Sequence, residues 1–161
     1  MTDFAGLIGA LVRGQVQFII VGGVAATVHG SARLTLDLDV VYSRTADNLD
    51  RLAAALAPLD PYLRDVPPGL PFNWNRGTLE SGLNFTLTTS LGSLDLFGEI
   101  TGGGTYDALH PHSIEIELFG LRCQCLDLAT LIAVKRAAGR PRDLDAIAEL
   151  EVLRQEIDRN S

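Results

Sequence analysis

The chain has 161 residues, of which 47% are hydrophobic and 20% charged, so it matches the size and composition of one globular domain rather than a disordered segment. Its longest apolar stretch, residues 18–28, is broken by glycines and a nearby histidine, too short for the roughly 20 apolar residues of a membrane span. A net charge of −7 excludes a broad electrostatic grip on nucleic acid, which needs clustered lysine and arginine. A local basic patch remains, made of Arg33, Lys135, Arg136, Arg140 and Arg142. The first residues lack a charged leader ahead of an apolar run, so the expectation is one cytoplasmic domain over residues 1–161 with no membrane partner.

Apolar residues at 4, 7, 8, 11 and 12 follow helical spacing and predict an opening helix over 3–13. Residues 15–21 read as a strand ending in the continuous β-rich run Phe18-Ile19-Ile20-Val21, followed by Gly22-Gly23 and a small-residue helix over 24–29 capped by Gly30. A central strand is expected over 36–42, with Asp37 and Asp39 on one face, and a helix over 47–56. Six proline or glycine positions between 58 and 71 rule out a long regular element up to residue 76. Residues 83–89 and 93–97 predict a hairpin, the three glycines at 102–104 a flexible loop, and residues 114–118 with 121–126 a second hairpin. Asp127 caps a helix running to Ala138, and a last helix runs from Asp143 to about Ile157. The fold class expected is α/β: a small mixed, mostly antiparallel sheet flanked by helices, with C-terminal helices and the carboxylates at one sheet edge.

Two aspartates at i and i+2 on a strand project from one face and supply the hard oxygens that a divalent ion takes, given a third carboxylate from a neighbouring strand. Asp95 is the choice for that third ligand, with Glu99 in reserve. Burying two unpaired like charges in an apolar strand is costly without a cation. Glycine at a strand-to-helix turn lets phosphate approach the backbone, which suits Gly22 and Gly23, although a Gly-Gly dipeptide alone often serves only turn geometry.

The stretch 21–39, from Val21-Gly22-Gly23 through Arg33-Leu34-Thr35-Leu36 to Asp37-Leu38-Asp39, resembles the signature of the DNA polymerase beta-type nucleotidyltransferase superfamily, in the branch of AbiEii-like and MenT-like toxins. The helical Lys135 and the following Gly139-Arg140-Pro141-Arg142-Asp143 are similar to the C-terminal element of that branch. The resemblance covers most of the chain and leaves residues 58–83 unassigned. It implies an NMP transfer from an NTP such as ATP to an acceptor hydroxyl, with Mg2+ or Mn2+ held by Asp37, Asp39 and Asp95. It further implies Gly22 and Gly23 at the nucleotide phosphates, Lys135 facing them, and Arg33 and Thr35 contacting triphosphate or positioning the strand. An RNA or tRNA end or a protein is the implied acceptor, with an antitoxin as partner; small-molecule acceptors stay open. The rival expectation is a catalytically inactive module that keeps the fold and binds nucleotide or a partner.

The remaining chemistry-bearing residues carry bland expectations. His29 is read as packed or hydrogen-bonded, Trp74 as an anchor of the irregular segment, Asp143 as a helix N-terminal residue, and Cys123 and Cys125 as buried thiols. His110 and His112, expected in a loop, have donor types for zinc together with the cysteines but match no zinc spacing.

Overall fold

The structure, a computed structural model, describes residues 1–141 and 143–160. Its first hydrophobic periodicity becomes helix α1 (Phe4–Arg13), begun by an Asp3 side chain that accepts from the Gly6 amide. The β-rich run forms β1 (Phe18–Val21), and the chain turns at once into α2 (Gly22–Val28). Strand β2 (Asp37–Tyr42) and helix α3 (Ala46–Leu56), capped by Thr45, follow. After a 3-10 turn over Ala57–Leu59 come the short strand β3 (Tyr62–Leu63) and helix α4 (Arg76–Ser81). The first predicted hairpin is β4 (Asn84–Thr89) and β5 (Gly92–Phe97). A two-residue ribbon, β6 (Glu99–Ile100) with β7 (Gly104–Thr105), leads to α5 (Tyr106–Leu109). The second hairpin is β8 (Ser113–Leu118) and β9 (Leu121–Leu126), and α6 (Leu128–Ala138) and α7 (Asp143–Arg159) close the chain.

Seven strands form one mixed sheet in the order β3-β4-β5-β2-β1-β9-β8. Neighbours are antiparallel except β2 with β5 and β1 with β9, which are parallel. The expected α/β class with a mostly antiparallel sheet and C-terminal helices is therefore what the chain adopts. Alternation on β2 divides its residues cleanly: Leu38 and Val40 are fully buried, while Asp37 and Asp39 look out from the opposite face. On β5 the same alternation buries Leu94 and Leu96 and leaves Asp95 on the aspartate face. The far end of β2 is pinned by polar contacts. Tyr42, fully buried, donates its hydroxyl to the Leu83 carbonyl at 2.7 Å. Buried Asn48 of α3 accepts from the Gln17 amide at 2.7 Å and donates to the Gln17 and Ser43 carbonyls at 3.1 and 2.7 Å, which locks α3 onto both strands.

Several sequence expectations shift. The carboxylate-bearing strands lie at the centre of the sheet, not at its edge, because β1 inserts antiparallel beside β2 and the β4-β5 hairpin covers its other side. Helix α2 begins at Gly22, so both glycines belong to its first turn, and His29 rather than Gly30 is its C-cap. Gly102 and Gly103 lie in the tight connection of the β6-β7 ribbon and Gly104 opens β7, and His110 and His112 lie in a 3-10 turn instead of an open loop. The proline-rich region contains no long element, as expected, yet it supplies β3, one edge of the sheet. No helix among the described residues is long and apolar enough to cross a membrane.

Candidate active site

The parallel register of β2 and β5 sets Asp39 opposite Asp95 and Asp37 opposite Ser93. Because Asp37 and Asp39 are two residues apart, both share the face from which Asp95 projects, and the sheet gathers three carboxylates from two adjacent central strands. Burial and the facing Asp95 carboxyl, with Asp37 close by, push Asp39 up to about 8, against a small opposing effect of the Lys135 ammonium. Asp95 is also raised by burial, although the Arg64 guanidinium opposes the shift. Near neutral pH the Asp39–Asp95 pair therefore holds a proton, as two carboxyls in a shared low-dielectric site cannot both ionise freely.

Arg64 was not found by sequence reasoning. It follows β3, its backbone amide donates to the Thr86 carbonyl at 2.9 Å, and its side chain reaches across β4 toward the centre of the sheet. There Nη1 contacts Asp37 Oδ1 at 3.4 Å and the Leu87 carbonyl at 3.3 Å, while Nη2 pairs with Asp95 Oδ1. Its only sequence signal is an arginine directly after the β-type dipeptide Tyr62-Leu63, in a stretch otherwise read as turns. The electrostatic cost expected for unpaired aspartates is thus partly met by the protein's own cation. Among the described residues, no three Asp, Glu, His or Cys side chains stand, as placed, where together they could hold a metal ion.

Gly22 lies directly against Asp39. Its φ is +67°, in the left-handed region, and a Cβ there would fall on Asp39 Oδ2. Gly23 stands over Thr35, whose Oγ1 would be 2.5 Å from an added Cβ; that hydroxyl donates to the Asp37 carbonyl at 3.2 Å. The turn and the strand thus interlock: Thr35 spans from Gly23 to the start of β2. Asp39 Oδ1 is buried with no hydrogen-bond partner.

Beside the carboxylates opens a cleft of about 360 Å3, whose lining includes Gly22, Asp39, Asn84, Glu99, Lys135 and Arg140 together with apolar residues of β1, β5, β6 and α6. Lys135 is half-buried there, with no carboxylate at ion-pair distance among the described residues. Arg140 pairs with buried Asp143 at 2.8 Å, so Asp143 serves the start of α7 and Arg140 rather than Lys135. Arg142 lies outside the described residues. Of the expected site residues, Asp37, Asp39, Asp95, Gly22 and Lys135 come together, with Gly23 and Thr35 immediately behind. Arg33 does not join them; it faces α7, with Nε 4.0 Å from Glu149.

The bland expectations fit their surroundings. His29 Nε2 lies 2.8 Å from the Leu126 carbonyl, and Trp74 donates to the Ala53 carbonyl at 2.9 Å, anchoring the irregular segment to α3. Cys123 and Cys125 are free and buried on β9, and burial pushes the Cys125 thiol up to about 12, far from thiolate chemistry.

No protein-family model matches the chain, and no curated protein matches it in sequence. The fold has solved counterparts. The solution structure of the antibiotic-resistance factor ANT(2'')-Ia superposes with a TM-score of 0.55 at 15% identity, over 96% of this chain and 89% of that one. The crystal structure of ANT(2'')-Ia in complex with adenylyl-2''-tobramycin gives a TM-score of 0.52 at 14% identity, over 97% of this chain and 95% of that one. At such identities the likeness is one of fold alone.

Proposed function

We propose that this protein is a nucleotidyltransferase that moves an NMP from an NTP to an acceptor hydroxyl. The observation that carries the reading is the convergence of Asp37, Asp39 and Asp95 on adjacent strands, directly under a glycine turn that has no Cβ to cover them. The fold is consistent with it, and the neighbouring cleft has a volume in the range of small-ligand sites.

The donor set suits a hard divalent ion such as Mg2+ or Mn2+. All three side chains offer carboxylate oxygen, and Asp39 Oδ1 is a buried acceptor without a partner. Asp37, Asp39 and Asp95 would hold the ion, which when bound supplies charge neutralisation at the reacting phosphate. The chain's own residues do the rest. Gly22 leaves the backbone of the turn open to phosphate, with Gly23 and Thr35 fixing the turn against the strand. Lys135, facing the same cleft, compensates phosphate charge. A carboxylate of the cluster takes the acceptor's proton, the acceptor oxygen bonds to the α-phosphorus, and pyrophosphate leaves with the electrons of the broken P–O bond.

An RNA or tRNA end or a protein hydroxyl, with an antitoxin as controlling partner, belongs to this proposal through the sequence resemblance. A small polyhydroxylated acceptor joins them because the fold neighbour was crystallised with an adenylylated small molecule. The second reading, a noncatalytic binding module, is favoured by one observation: Arg64 already neutralises part of the cluster without any metal. Incubation with labelled NTPs and a panel of RNA, protein and small hydroxylated acceptors separates the two. Label transferred by the wild type and lost with Asp39→Asn is the expected result; nucleotide binding with no transfer to any acceptor class points to the module.

A further inference from the structure

Arg64 contacts three acceptors: Asp37 Oδ1, Asp95 Oδ1 and the Leu87 carbonyl. Two of these are oxygens of the carboxylates that the proposed function assigns to a divalent cation. A guanidinium and a dication drawn to the same carboxylates compete, because two cations at such close range repel. The Arg64 backbone is fixed to β4 by its amide, which donates to the Thr86 carbonyl. The next residue, Asp65, has a left-handed φ of +67°, where the chain leaves β3 for the proline-rich segment. The side chain crosses the sheet surface with its charged end held by ion pairs and one carbonyl.

We propose that Arg64 is a nucleotide-phosphate ligand that rests on Asp37 and Asp95 while the site is empty and exchanges those carboxylates for triphosphate oxygens when metal and nucleotide arrive together. The proposal rests on the metal-binding reading of the three carboxylates. The charge balance gives its direction. A free dication that displaces Arg64 costs the guanidinium its two carboxylate partners. A dication that brings a triphosphate supplies the displaced guanidinium with new acceptors, in a fork geometry that arginine matches well. Phosphate brought in with the ion would offer acceptors near the carboxylates that Arg64 leaves. Free metal thus binds weakly, and metal and nucleotide bind cooperatively. Arg64 couples the two.

The test is calorimetry on the whole chain with two probes: Mn2+ alone, then α,β-methylene analogues of the four ribonucleoside triphosphates in saturating Mn2+. Arg64→Ala is expected to bind free Mn2+ at least about tenfold more tightly than wild type and the best-bound analogue at least about tenfold more weakly. Arg64→Gln, which keeps part of the stem and a polar end without the charge, is expected to shift both affinities in the same two directions and covers the case in which the alanine variant fails to fold. Opposite signs are the signature. If both affinities fall, Arg64 is a fixed strut for the carboxylates; if neither changes, it takes no part; either result overturns the proposal. Asp39→Asn separates this from failure of the underlying reading: wild-type Mn2+ binding that survives the substitution, or no Mn2+ binding in any variant, overturns the metal site itself.

Discussion

In metal-free buffer, Asp39→Asn is expected to raise the melting temperature by about 5 °C or more at pH 8 and to leave it nearly unchanged at pH 4. The sign follows from the shift of the native carboxyl from its ordinary value of 3.8 up to about 8, caused first by burial and then by Asp95. A group that binds its proton more tightly when folded than when unfolded stabilises the fold below the unfolded value. That contribution fades as pH rises from about 4 toward 8, because the unfolded chain ionises freely and the folded chain does not. Asparagine keeps the shape of the protonated side chain and cannot ionise, so it escapes the loss, which is on the order of a few kcal/mol. Divalent cation reverses the balance. Added Mg2+ is expected to stabilise the wild type at pH 8, where it favours the ionised carboxyl, and to have little effect on Asp39→Asn. Parallel pH profiles of melting temperature for the two proteins would contradict the assigned environment of Asp39. The aspartate thus costs the resting protein stability, a pattern common where a group is retained for its chemistry.

Gly22→Ala is expected to destabilise the protein by about 2 kcal/mol or more and to weaken nucleotide binding with it. Two separate effects add at this position. The left-handed φ of +67° is costly for any residue with a Cβ, and that Cβ would land on Asp39 Oδ2. Gly120→Ala provides the control. Its φ is +74° and an added Cβ meets nothing within 4 Å, so it reports the backbone penalty alone. The excess loss in Gly22→Ala over Gly120→Ala, read from denaturant unfolding, measures the contact with Asp39. Equal losses would mean that the turn does not press on the aspartate, and the interlocking of turn and strand would be wrong.

Much of the fold was legible because local patterns and tertiary burial agree. Residues 3–13 repeat at helical spacing and bury Leu7, Ile8 and Leu11; the apolar run at 18–21 is fully buried on β1; Thr45 and Asp127 cap their helices with side-chain oxygens. Asp37 and Asp39 were legible as a same-face pair from spacing alone, and Asp95 as a carboxylate in a short β-rich run. What spacing does not contain is which strands become neighbours. The parallel pairing that places Asp95 opposite Asp39 joins residues 56 positions apart in sequence, and the insertion of β1 beside β2 makes their strands central rather than peripheral. Arg64 was hidden for a related reason. Its segment has no periodicity, since prolines and glycines break it, and the two-residue strand before it exists only because β4 offers an edge. Arg33 is close to the aspartates in sequence, yet the exposed loop before β2 directs it to the acidic Glu149.

Whether Asp37, Asp39 and Asp95 form one metal-dependent nucleotide site beside the glycine turn is tested most directly by calorimetric titration of NTP in the presence of Mg2+ into wild type and into Asp37→Ala/Asp39→Ala. Binding that requires Mg2+ in the wild type and is abolished in the double variant is the predicted result; undiminished binding in the double variant would contradict it.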